Sequence, residues 1–107
     1  MTDIQPFEAL NDPTRRKLLE RLRKGPASVS ELVRSVPVSQ PAVSQHLKVL
    51  KEARLVQVSK QAQQRIYSLD PRGFSELRYY VDRFWDAALA AFQQAAEEFS
   101  MEDTDHE

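Results

Sequence analysis

A chain of 107 residues is the size of one ordinary domain, and 41% hydrophobic with 29% charged residues excludes a disordered chain. No apolar run nears the ~20 residues that cross a bilayer, and the absence of cysteine excludes disulfides, thiolate metal sites and a cysteine nucleophile. The net charge of -1 hides a segregation: residues 1–12 carry three acids and no base, residues 13–72 carry thirteen Lys/Arg against four acids (net +9), and residues 73–107 carry two Arg against nine acids (net -7).

The start, Met1 to Pro6, has neither a basic nor an apolar region, so no secretory signal is expected and the chain reads as cytoplasmic. Ile4, Phe7 and Leu10 recur at i, i+3, i+6 and predict a short first helix. Asp12 is a good N-cap and Pro13 suits N1, so a second helix is predicted from Pro13 to Lys24, with Leu18, Leu19 and Leu22 inward. Gly25 supplies a left-handed end and Pro26 prevents continuation. Ser28 and Glu31 form a capping box that starts a third helix, which Pro37 stops. Ser39 caps a fourth, from Gln40 to about Ala53, with Val43, Leu47 and Leu50 as its buried stripe.

The period then shortens. Residues 55–59 read as a strand, 60–64 as a polar turn and 65–69 as the returning strand. Asp70 and Pro71 open a long helix from Arg72 to Phe99, with Gly73 in its first turn. The acidic tail, residues 101–107, is expected to be disordered, leaving residues 1–100 as one domain.

Helices three and four lie close enough for a helix-turn-helix, and the hairpin behind them is a wing. The predicted fold is therefore mainly α with a small β-hairpin wing, a winged helix-turn-helix. Its fourth helix turns Gln40, Pro41, Ser44, Gln45, Lys48 and Lys51 outward, with no acid over that span. Glutamine pairs with adenine in a bidentate way, serine meets several base edges, and lysine meets phosphate or guanine. Ser39 sits where the helix N-terminus approaches a phosphate. His46 has two readings, a groove or phosphate contact and a packing residue at the margin of the buried stripe. Gln63, Gln64 and Arg65 of the wing can follow the backbone or enter the minor groove. Arg15, Arg16, Lys17, Arg21, Arg23 and Lys24 of the second helix add positive field and can supply backbone contacts. Double-stranded DNA is the expected partner.

The run from Leu10 to Arg16, the segment 38–53 and the strand end Arg65-Ile66-Tyr67-Ser68-Leu69 resemble the ArsR family of bacterial winged-helix regulators over about residues 4–99. That resemblance implies a homodimeric repressor whose fourth helix enters the major groove of a palindromic operator, dimerised through its first and last helices. Many members sense metals through cysteines in the third helix or Asp/His sets in the last. Here the third helix has no thiol, the last holds Asp82 and Asp86 without a histidine, and His106 lies in the tail. Metal sensing is therefore not carried over, and no cofactor is expected. Arg54 stands where relatives often have glycine.

In the last helix, Phe74, Leu77, Val81, Phe84, Ala88, Ala91 and Ala95 alternate by three and four, the heptad spacing. Trp85, Leu89, Phe92, Ala96 and Phe99 form a second row. One row can face its own domain and the other needs a partner; with the first helix, which the resemblance implies, the expected dimer interface comprises Ile4, Phe7, Val81, Phe84, Trp85, Ala88, Leu89 and Phe92. An effector of unknown chemistry remains open. The alternative is a winged-helix module that binds protein and not DNA, which acids on the 40–51 face would have favoured. An enzyme is rejected, because Ser44 and His46 stand two apart on a helix and face apart, and no phosphate-binding glycine loop exists.

Overall fold

Each helix of the basic half starts at a polar cap. The computed structural model describes residues 5–105. Helix α1 (Pro6–Ala9) is one short turn. The Asp12 carboxylate then accepts from the amides of Thr14 (2.8 Å) and Arg15 (3.0 Å) and opens α2 (Pro13–Arg23). Ser28 and Glu31 close the expected capping box on α3 (Val29–Arg34). The Ser39 hydroxyl accepts from the Ala42 amide at the start of α4 (Gln40–Glu52). Such caps satisfy amides that the first turn leaves without partners.

Helix α4 ends in a Schellman turn. Arg54 takes φ 59°, its amide donates to the Lys51 carbonyl, and the Leu55 amide donates to the Leu50 carbonyl. Strands β2 (Val56–Gln61) and β3 (Gln64–Leu69) follow, and β3 is the middle strand of an antiparallel sheet of three. Its other neighbour is β1 (Ala27–Ser28), paired as Ala27 with Tyr67 and Ser28 with Ile66. Helix α5 (Pro71–Asp105) closes the order.

The core joins α2, α3, α4 and the sheet through Leu18, Leu22, Leu32, Val43, Leu47, Leu50, Leu55 and Val56, all buried. The start of α5 is tied to this core. The Asp70 amide donates to the Leu55 carbonyl (2.9 Å) and the Gly73 amide to the Arg54 carbonyl (2.8 Å). A Cβ on Gly73 would meet the Arg54 carbonyl oxygen, with the Arg54 carbonyl carbon at 2.7 Å and the Ala53 oxygen at 2.8 Å. Glycine is thus needed there for close approach, not for a special φ. The chain divides into two compact units, one ending at Leu77 and one beginning at Arg78. The second is the remainder of α5.

Four expectations change. The hairpin turn is two residues, Ala62-Gln63, and not five: Ala62 adopts φ 56° without a glycine to announce it, and the strands run on to pair Gln61 with Gln64. Strand β1 is too short to show a period of two, and pairing to β3 alone defines it. Helix α5 passes Phe99 to Asp105, since no glycine or proline interrupts residues 74–105. Of the two apolar rows, only Phe74 and Leu77 pack on the core; residues 78–100 are exposed throughout. Ile4 of the expected interface lies outside the described residues, while Phe7 is exposed.

Candidate nucleic-acid interface

Burial of Val43, Leu47 and Leu50 fixes which side of α4 looks outward. Ser39, Gln40, Pro41, Ser44, Gln45, Lys48 and Lys51 are all exposed, as the 3.6-residue period requires. Gln40, Ser44, Leu47, Lys48 and Lys51 of α4 line a groove of about 440 Å³ together with Val29 of α3 and Arg65 and Tyr67 of β3. A second groove, about 300 Å³, runs from Ser28, Val29 and Ser30 to Gln63, Gln64 and Arg65. Arg65 and Val29 border both grooves. The wing strand and the exposed face of α4 therefore form one concave surface. Sequence reasoning missed Ser30 and Tyr67 on it, because the pairing of β1 with β3 brings them there.

The electrostatics suit a polyanion. Among the described residues, Lys48, Lys51 and Arg65 have no carboxylate within 4.0 Å. Three unneutralised cations round one groove concentrate positive potential where a phosphate backbone can lie. Pro41, Gln45 and Ser39 extend the exposed face beyond the groove.

The arginines of α2 are employed differently from the expectation. Arg16 donates to the Leu10 carbonyl (2.7 Å). Arg21 donates to the Gly25 carbonyl and pairs with Glu31 (3.2 Å), and Arg23 pairs with Glu20. Arg15 Nε donates to the Ala9 carbonyl (2.6 Å) and Nη2 to the Glu8 carbonyl (3.3 Å). Arg15 and Arg16 thus hold the end of α1 to α2, while Arg21 and Arg23 each face a carboxylate.

His46 is likewise off the outward face. At about 100° per residue it lies roughly opposite the centre of that face. Its side chain is 21% exposed, with Nδ1 3.4 Å from Arg15 Nη1 and Nε2 3.9 Å from Asp12 Oδ1. Of its two readings, the geometry matches packing and not a groove contact. Amide donation from Arg15 first, then the His46 imidazole, the Thr14 amide and the Arg15 guanidinium, hold the Asp12 carboxyl below the usual carboxylate range against its desolvation.

Among the described residues, no three His, Cys, Asp or Glu side chains gather as a metal-ion set, and no helix is long and apolar enough to cross a membrane.

The family model described as bacterial regulatory protein, arsR family, matches residues 12–58, from the cap of α2 into β2. The HTH-type transcriptional regulator Rv2034 of Mycobacterium tuberculosis is 54% identical over 88 residues, 82% of this chain and 82% of its own length. The transcriptional repressor SdpR of Bacillus subtilis is 36% identical over 64 residues, 60% of this chain and 71% of its own. The crystal structure of a possible transcriptional regulator for arsenical resistance matches with a TM-score of 0.69 at 40% identity, covering 84% of this chain and 96% of that one.

Proposed function

The chain belongs to the arsR family of bacterial regulatory proteins, as a DNA-binding transcriptional regulator and not an enzyme, and on that premise we propose that it is a homodimeric repressor of a palindromic operator. The observation that carries this reading is the outward face of α4 from Gln40 to Lys51, which holds no acid and lines one groove with Arg65 of the wing. Gln40, Ser44 and Gln45 read base edges, and Ser39, Lys48, Lys51 and Arg65 meet the backbone. Gln63 and Gln64 follow the strand at the wing, and Pro41 offers an apolar edge to a thymine methyl.

Residues 1–100 act as one DNA-binding and dimerising unit, with Phe7, Val81, Phe84, Trp85, Ala88, Leu89 and Phe92 at the interface. The exposure of Trp85 (61%) and Phe92 (71%) supports this part, since a soluble monomer rarely leaves so long an apolar patch open. Two-fold symmetry would present two α4 helices about 34 Å apart, one turn of DNA. The repressor works in the cytoplasm without a bound metal; the cysteine-free composition supports the latter. Any effector is then a group other than a thiol-bound metal.

The test is fluorescence anisotropy on the DNA immediately upstream of the protein's own gene, against a scrambled duplex at several salt concentrations. Tight, salt-sensitive binding that prefers the upstream duplex is expected. The Lys51→Ala variant should weaken both duplexes and reduce the salt slope by about one. The Gln45→Ala variant should cost about 1–3 kcal/mol of discrimination at one position and leave that slope alone. Failure to bind either duplex at low salt overturns the reading.

A further inference from the structure

Apolar packing sets the depth of α4 and restrains its roll less sharply than a directional bond does. Val43, Leu47 and Leu50 are buried, yet apolar contact has no preferred direction. The helix surface lies about 5–6 Å from its axis, so a 10° roll moves a side-chain base by about 1 Å. A base-edge hydrogen bond works over 2.7–3.2 Å, so that displacement ends direct readout, whereas apolar side chains moved by the same amount keep most of their burial.

Among the described residues, His46 meets two groups on the side of α4 away from the groove: Asp12 through Nε2 at 3.9 Å, and Arg15 through Nδ1, which accepts when the imidazole carries its proton on Nε2. The Arg15 guanidinium is anchored by the Ala9 and Glu8 carbonyls, near the end of α1, through Nε and Nη2. Its remaining arm, Nη1, faces His46 Nδ1 at 3.4 Å. Arg15 is itself held at the start of α2, because its amide donates to the capping carboxylate of Asp12. A planar fork whose other arms are already fixed constrains direction as well as distance. The imidazole it meets stands on the residue after Gln45, across the helix from the base-reading face.

We propose that Arg15, acting through His46, is a positioning residue that sets the roll of α4 for base readout. The proposal rests on the DNA-binding reading above and adds a group that touches no DNA. It separates two roles that a loss of binding alone would confuse. A phosphate contact contributes equally to all sequences and to the salt slope. A positioning tie contributes to the preference for one sequence and not to the slope.

The experiment measures affinity for the upstream and scrambled duplexes across salt for Arg15→Ala, Arg15→Lys, His46→Ala and His46→Asn. Arg16→Ala serves as control, since Arg16 binds the Leu10 carbonyl. Arg15→Ala, Arg15→Lys and His46→Ala should lower the preference for the upstream duplex by about 3- to 30-fold. Binding to scrambled DNA and the salt slope should stay unchanged, and Arg15→Ala with His46→Ala should be no worse than either alone. His46→Asn, which keeps an acceptor near the Nδ1 position, should recover most of the preference. An unchanged preference in folded His46→Ala, or a salt slope reduced by about one in Arg15→Ala, overturns the proposal.

Hydrogen exchange in the free protein provides a readout independent of DNA. Faster exchange of α4 amides 43–47 in Arg15→Ala than in Arg16→Ala supports the tie, and equal rates overturn it. Wild-type protein that binds neither duplex would instead refute the DNA reading, while the exchange result still decides whether the tie holds α4.

Discussion

Arg54 carries a Cβ at φ 59°, a left-handed conformation that costs a non-glycine residue roughly 1–2 kcal/mol. The turn is kept because the amides of Arg54 and Leu55 satisfy the last carbonyls of α4, and because Leu50 and Leu55 bury together. The side chain is exposed and outside the basic groove. Arg54→Gly should therefore raise the unfolding free energy by about 1 kcal/mol, read from urea midpoints at unchanged m-value, with DNA affinity preserved. Gly73 stands in the opposite relation to the same turn. Its missing Cβ leaves room for the Arg54 carbonyl, so Gly73→Ala must push two backbone segments apart, at about 1–3 kcal/mol. If Gly73→Ala melts with the wild type, the approach of α5 to the Schellman turn is looser than the contacts imply. The left-handed turn was legible as a departure at Arg54, whereas the need for Gly73 was not, because the atoms that forbid a Cβ come from residues nineteen and twenty positions earlier.

At the scale of elements, Asp70 joins the end of the hairpin to the start of α5. Its carboxylate, 2% exposed, accepts from the Arg72 amide (3.0 Å) and from Arg72 Nη2 (2.7 Å). The Arg72 side chain first, then its amide and charge with a contribution from Arg54, hold the Asp70 carboxyl below its ordinary value despite desolvation. A carboxyl depressed in the folded state contributes stability that is complete above its unfolded value, about 3.9, and is lost as pH falls through the folded one. Urea midpoints should thus stay level between pH 7 and 5 with respect to this group and fall below about pH 4. Asp70→Asn, which keeps a capping oxygen but loses the charge that faces Arg72, should start lower by about 1 kcal/mol and show a shallower fall. An identical acid slope in the variant would mean that Asp70 gains nothing from its cap. Helix starts such as this one were legible because a cap and its amides lie within three residues. The hairpin turn and β1 were not, since their form is set by register against β3. His46 stayed ambiguous for the same reason: its partners, Asp12 and Arg15, are more than thirty positions away.

For the whole molecule, the charge segregation and the apolar rows of α5 divide the labour along the chain. The net +9 of residues 13–72 coincides with the elements that carry the groove, and the net -7 of residues 73–107 with the helix that carries the rows. Sequence periodicity showed both rows, but not that residues 78–100 would be exposed in the single chain. That distinction depends on where the core ends, at Phe74 and Leu77. Trp85 is the only tryptophan and is 61% exposed in the single chain, so its fluorescence reports directly on whether a second copy covers it. At concentrations where sedimentation gives twice the chain mass, Trp85 emission should lie to the blue of its position in a dilute, dissociated sample. Phe92→Glu buries a charge in the proposed interface, which is strongly unfavourable without a partner. It should keep the emission red at all concentrations, sediment as one chain, and bind the palindromic duplex with the affinity of a half-site. The unit ending at Leu77 has its own core, so its melting should change little in this variant. A Phe92→Glu protein that still sediments as a dimer would remove this face of α5 from the interface and leave the two-fold arrangement of the α4 helices without its support.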